Sequence, residues 1–180
     1  MSSVAVFVSG GGSNMLSLIE NNINISLVIA DRECLALTRA KDHNIKTYNV
    51  GRVNTSEKIL EILKDEKIDL IVLAGFLSII SKELTDKYKI INIHPSLLPK
   101  YGGVGMYGMN VHKAVFKNSE KVSGATVHYV NELVDKGDII KQVSIDITNC
   151  KDEFEIAKKV LEIEHKLLPE VVKSIINKGV

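Results

Sequence analysis

Val4-Ala5-Val6-Phe7-Val8-Ser9-Gly10-Gly11-Gly12-Ser13-Asn14 decides the fold. Its first five residues form a short valine-rich run of strand length. Three glycines break the run, and Ser13 or Asn14 is placed to cap a helix reaching to about Asn21. Strand, glycine turn and helix together make the opening of a β-α-β unit.

The rhythm continues downstream. Ile25–Ala30 reads as a second strand, Cys34–His43 as a helix and Lys46–Tyr48 as a short third strand. From Ser56 to Leu63 the apolar residues recur at helical spacing. Leu70–Leu73 is a compact strand that stops at Ala74-Gly75. Ser81–Lys87 reads as a brief helix and Lys89–Ile93 as the next strand. Such alternation predicts a mostly parallel sheet with right-handed crossovers. Ligands of such sheets sit at the carboxyl ends of the strands. Gly10–Asn14, Gly75–Ile80 and Asn92–Pro99 all follow strands at that edge, so the three segments are expected to converge.

Beyond residue 100 the pattern changes. Lys100–Met109 is a loop with four glycines, Gly102, Gly103, Gly105 and Gly108, and Met109–Lys117 looks helical. Gly124–Val130 and Ile139–Ser144 read as strands joined by a turn at Val134-Asp135-Lys136-Gly137-Asp138. That connection is too short for a crossover, so the pair is expected to be antiparallel. Asp152–Lys178 reads as a long closing helix, kinked near Pro169. The expectation is an α/β, Rossmann-like single domain over residues 1–180. It has a mostly parallel sheet in the N-terminal half, antiparallel strands added in the C-terminal half and a long C-terminal helix.

Composition narrows the function. The 180 residues carry a net charge of +1, 45% hydrophobic and 25% charged residues, and no tryptophan. Nothing in that balance points to nucleic acid or an anionic membrane as a partner, and an aromatic base-stacking platform is not expected. The apolar run after Met1-Ser2-Ser3 is about five residues, too short for a signal-peptide core. No apolar run approaches the roughly 20 residues of a membrane span. Cys34 and Cys150 lie far apart, as in a reduced, cytoplasmic protein.

Two segments carry chemistry. A glycine loop opening a helix presents free N–H groups and a positive dipole end, which suits a phosphate. It suits equally a tight turn that needs left-handed glycine. The second segment is Ile91-Asn92-Ile93-His94-Pro95-Ser96-Leu97-Leu98-Pro99. Residues two apart on a strand face the same side, so Asn92 and His94 do so here. An amide that donates a hydrogen bond beside an imidazole that moves a proton suits carbonyl chemistry. Taken alone, the pair also fits a loop-capping amide and a satisfied core histidine, and Asp135 fits a plain turn residue. His128 reads as core or as a supporting residue, and His43 and His112 as surface or helix-end residues. No pair has metal-ligand spacing, so no metal is expected.

Taken together, the motifs resemble the 10-formyltetrahydrofolate-dependent formyltransferase family. The matching residues are Val8–Asn14, Val72-Leu73-Ala74-Gly75-Phe76, Asn92–Pro99, Gly124–Val130, Asp135-Lys136-Gly137 and Glu162-Ile163-Glu164-His165. They run in order over essentially the whole chain. Most specific is the Asn-x-His-Pro-Ser-Leu-Leu-Pro run followed about 40 residues later by Asp-x-Gly. The glycine loop and compact length point to the branch that formylates phosphoribosylglycinamide in purine (IMP) biosynthesis. The resemblance implies 10-formyltetrahydrofolate as co-substrate, small-molecule partners only, and a monomer or homodimer. It implies that Asn92, His94 and Asp135 are catalytic, with Asn92 and His94 stabilising a tetrahedral intermediate and Asp135 supporting a protonated His94. Gly12, Ser13, Asn14 and Glu164 would bind the phosphoribosylglycinamide. Leu77, Ser78, Ile79, Ile80, Asn92, Asn131, Glu132, Leu133, Val134 and Asp135 would contact the folate, with Arg52 a candidate for its glutamate tail. Residues 1–93 would form a phosphate-binding half and 94–180 a catalytic, folate-binding half. Relatives often carry an arginine where this chain reads Leu77-Ser78-Ile79-Ile80.

Overall fold

In the computed structural model, which describes residues 2–179, the alternation appears in chain order. The elements are β1 (Val4–Val8), α1 (Ser13–Glu20), β2 (Ile25–Ala30), α2 (Leu35–Asp42), β3 (Lys46–Asn49), α3 (Thr55–Leu63) and β4 (Leu70–Leu73). Then come α4 (Lys82–Lys87), β5 (Ile90–His94), α5 (Met109–Lys117), β6 (Val122–Tyr129), β7 (Ile139–Asp146) and α6 (Glu153–Asn177). The strands form one sheet in the order β3-β2-β1-β4-β5-β6-β7. β1 through β5 pair in parallel, and β6 and β7 pair antiparallel.

β1 lies at the centre because it has no polar side chain to expose: all five of its residues are fully buried. Val4, Val6 and Val8 join the core on one face, with Leu18 of α1 and Val160, Leu168 and Val172 of α6. Ala5 and Phe7 join the other, with Ile59 and Leu63 of α3 and Leu84 of α4. Each fully buried valine or phenylalanine contributes about 1.5–3 kcal/mol. A strand covered on both faces reads as a continuous apolar run, not an alternating one.

The order reverses at β1: β2 and β3 lie to one side, β4 and β5 to the other. The loops after β1 and β4 therefore leave the sheet side by side, at the crevice where doubly wound sheets bind ligands.

Several expected boundaries shift. Neither Ser13 nor Asn14 caps α1. The cap is Gly12, at φ 78°, with no side-chain hydrogen bond. A Cβ there would lie 2.7 Å from Ala36 Cβ, so the close packing of α2 and the left-handed turn both require glycine. α3 starts at Thr55, one residue before Ser56. Asp152 is the N-cap of α6, accepting the Glu155 N–H at 2.8 Å. α6 continues past Pro169 for about two turns to Asn177. Leu167, Leu168, Val171 and Val172 are buried around the proline, and this packing holds the helix where Pro169 has no N–H to donate.

Candidate active site

A cleft of about 620 Å³ opens at the carboxyl edge of the sheet. Its lining comes from Asn14 at the start of α1, Leu77–Ile80 after β4, Asn92 and His94 on β5, the glycine loop after residue 102, Asn131–Asp135 and Glu164 of α6.

Period-2 geometry sorts the polar from the apolar residues of β5. Ile91 and Ile93 enter one core, while Asn92 and His94 turn the other way. Antiparallel pairing then sets His128 opposite Asn92 and Thr126 opposite His94. Asn92 Nδ2 lies 3.1 Å from His128 Nε2. His128 Nδ1 is 2.8 Å from the Tyr129 carbonyl, an acceptor only, so Nδ1 carries a proton. The contact with His128 uses at most one of the two Asn92 amide protons, so at least one stays free.

Asp135 sits at the turn between β6 and β7 with φ 54°. Its side chain folds back over β5 and β6. Oδ2 lies 3.6 Å from His94 Nδ1, and Oδ1 lies 3.5 Å from His128 Nε2. The Gly103 N–H donates to Oδ2 at 2.9 Å, tying the glycine loop to the same carboxylate. Gly137 makes the fold-back feasible, since a Cβ there would fall 1.7 Å from the Tyr129 carbonyl oxygen. Burial raises the Asp135 carboxyl, but His128, His94 and the Gly103 N–H outweigh it and hold the group below its ordinary range.

His94 behaves differently from the sequence expectation. Burial pushes its imidazole below the ordinary value, and Asp135 and the Tyr101 carbonyl only partly offset this. At neutral pH the ring is therefore uncharged. Its Nε2 lies 2.7 Å from the Tyr101 carbonyl and must donate to it. The lone pair is left on Nδ1, the nitrogen beside Asp135, so Nδ1 is the atom that exchanges protons.

Glu164 is buried in the lining, and Asn14 Nδ2 donates to its Oε1 at 3.2 Å. Burial pushes its carboxyl up to about 7, with the Asn14 bond pulling slightly the other way. Asn14 Oδ1 is buried with no hydrogen-bond partner. The Asn14–Glu164 pair thus offers an unpaired acceptor and a carboxyl poised between its two states. Such a pair suits a polar, cationic or hydroxyl-bearing ligand.

The model of the family described as Formyl transferase matches residues 2–172. The chain belongs to that family. It is 36% identical over 188 residues to the chloroplastic phosphoribosylglycinamide formyltransferase of Arabidopsis thaliana, covering 96% of this chain and 64% of that relative. The chain thus spans less than two thirds of the plant relative's length. It is 35% identical over 192 residues to the phosphoribosylglycinamide formyltransferase of Bacillus subtilis, covering 98% of this chain and 95% of that one. The crystal structure of phosphoribosylglycinamide formyltransferase from Anaplasma phagocytophilum superposes with a TM-score of 0.88 at 35% identity. That match covers 96% of this chain and 85% of that one.

Most of the residues expected in the site of this formyl transferase meet in the cleft: Asn14, Leu77–Ile80, Asn92, His94, Asn131–Asp135 and Glu164. Gly12 and Ser13 are half-buried and do not line it, and Arg52 is exposed on the loop after β3, also outside it. Two more histidines join the site, His128 in the core and supporting place expected for it and His112 against expectation. His128 touches Asn92 and faces Asp135, and only the cross-strand register reveals this. His112, expected as a surface or helix-end residue, is buried and lines the cleft with Nδ1 unpartnered. Burial, with His94 nearby, lowers its imidazole to about 4. It shares the inward stripe of α5 with Val111 and Val115, which the sequence pattern alone did not orient. Among the described residues, no group of three or more His, Cys, Asp or Glu is placed to hold a metal ion, and no helix is long and apolar enough to cross a membrane.

Proposed function

We propose that the protein transfers the formyl group of 10-formyltetrahydrofolate to the amine of phosphoribosylglycinamide. The observation that carries this reading is the meeting of Asn92, His94 and Asp135 in one wall of a cleft that also holds Asn14 and Glu164. The phosphoribosyl amine would lie against Asn14 and Glu164, its phosphate on the N–H groups of Gly12, Ser13 and Asn14. The folate would occupy the space between Leu77–Ile80 and Asn131–Asp135.

The neutral amine attacks the formyl carbon, forming the new C–N bond and placing negative charge on the formyl oxygen. The free amide proton of Asn92 donates to that oxygen. His94 Nδ1 takes a proton from the amine nitrogen, and the resulting imidazolium is held by Asp135. As the bond from the formyl carbon to N10 breaks, His94 returns the proton to N10. Protons and charge balance within the site.

The test is to mix the protein with 10-formyltetrahydrofolate, with and without phosphoribosylglycinamide, and follow free tetrahydrofolate. Release that depends on the amine supports the reading. Release at the same rate without it makes the protein a hydrolase of the donor.

A further inference from the structure

A buried carboxylate that the proposed chemistry does not use joins the loops on either side of the cleft. Asp31 follows β2 directly and is fully excluded from solvent. Arg32 grips it with two bonds, Nε to Oδ1 and Nη2 to Oδ2, each 2.8 Å. Ser9, the first residue after β1, donates its hydroxyl to Oδ1 at 2.7 Å. Ser78 donates to Oδ2 at 2.7 Å. The Ser9 hydroxyl in turn accepts the Leu77 N–H at 2.9 Å. Four donors saturate the carboxylate, and Arg32 together with both hydroxyls holds it at about 2 against the opposing effect of burial.

Asp31, Arg32 and Ser9 do not line the cleft, whereas Leu77 and Ser78 do. Residues 76–80 lie outside helix and strand, and Leu77 and Ile79 are 43% and 70% exposed. Little apolar packing therefore holds those two side chains. Among the described residues, the segment's hydrogen bonds are the Leu77 and Ser78 bonds, and both lead to Asp31. The same carboxylate anchors Ser9, which opens the glycine loop. Three loops that leave β1, β2 and β4 are thus referenced to one charge.

We infer that Asp31 is a positioning residue: through Ser78 and Ser9 it sets the segment Leu77–Ile80 against the glycine loop and so determines affinity for the formyl donor without touching it. The identity of the ligand rests on the function proposed above; the positioning itself does not. An asparagine at 31 would keep the shape, but its NH₂ cannot accept from Arg32 or from a serine hydroxyl. Removing Ser78 Oγ cuts only the link to the donor segment.

The test uses Asp31→Asn, Ser78→Ala and Ser9→Ala in the full chain, read by KM and kcat for each substrate and by hydrogen exchange along the backbone. Hydrogen bonds to a charged, buried group predict a rise of roughly tenfold in the donor KM for Asp31→Asn. A smaller rise is expected for Ser78→Ala, with KM affected more than kcat. Exchange should quicken locally, over residues 75–81. Unchanged exchange there, or a uniform increase over the whole chain, overturns the inference. Should Asp31→Asn fail to fold, the two serine variants decide the question, since each removes a single oxygen. Should the wild-type protein show no amine-dependent release of tetrahydrofolate, the proposed reaction falls, while the exchange comparison still decides the role of Asp31.

Discussion

Asp135→Asn isolates the charge at the heart of the proposed reaction. The Asp135 and His94 side chains are 8% and 5% exposed, and their nearest atoms are 3.6 Å apart. Two unit charges about 4 Å apart attract by about 4 kcal/mol at an effective dielectric of about 20. Only the imidazolium formed during the reaction feels this attraction, because His94 is neutral at rest. Loss of the charge should therefore lower kcat by about a thousandfold. The fold should survive: asparagine tolerates the left-handed backbone at this position, and its carbonyl can still accept from the Gly103 N–H. An unfolding midpoint within about 4 °C of wild type is expected, the shift that about 1 kcal/mol produces in a domain of this size. Without Asp135, burial acts on His94 with less opposition and its pKa falls further. The acid limb of the pH–rate profile, where His94 gains a proton, should then move to lower pH. Single-turnover release of tetrahydrofolate across pH supplies both readouts. A kcat reduced by less than about tenfold, with the acid limb unmoved, would refute the assignment.

Asn92→Ala removes the proposed oxyanion donor and should cost about 3 kcal/mol, roughly a hundredfold in kcat, with little change in either KM. Glu164→Gln has a thermal signature. The folded-state pKa of Glu164 is raised to about 7 from 4.5, so the native state binds the proton more tightly than the unfolded chain and stability falls as pH rises between those values. Glutamine avoids that loss. The variant should match wild type at pH near 4 and be more stable by up to about 3 kcal/mol near pH 8, as read by thermal unfolding at both pH values. Equal stability of the two proteins at pH 8 would show that Glu164 ionises freely. Gly12→Ala should destabilise by about 2–4 kcal/mol in urea titration, combining left-handed strain with overpacking against Ala36. Ala36→Gly should recover part of the loss; a fully stable Gly12→Ala protein would mean the turn has room to relax.

Much of the architecture was legible because it rests on local pattern. The buried runs of β1, β2 and β4, the glycine breaks and the short link between β6 and β7 each carry their own period or turn chemistry. Helix caps were less legible. Ser13 and Asn14 have the right side chains to cap α1, but the packing of α2 on the turn selects Gly12 and moves both residues into the first turn. His112 was misplaced for a similar reason, since the direction α5 faces depends on the loop that delivers it.

The sequence by itself determined that Asn92 and His94 share one side of a strand, because a strand's side chains alternate whatever surrounds it. It also determined that the loops after β1, β4 and β5 leave by the same edge, because β-α-β connections are right-handed and parallel. What Asn92 and His94 meet was decided only by the tertiary structure. Strand register set His128 opposite Asn92, the Gly137 approach folded Asp135 back to His94, and the reversal of strand order at β1 brought Ser9, Asp31 and Ser78 within hydrogen-bonding distance. Those contacts join residues 22 to 47 positions apart along the chain. No local propensity encodes them. They exist because burying both faces of one sheet leaves a single arrangement of strands, and the polar groups at its edge must then satisfy one another.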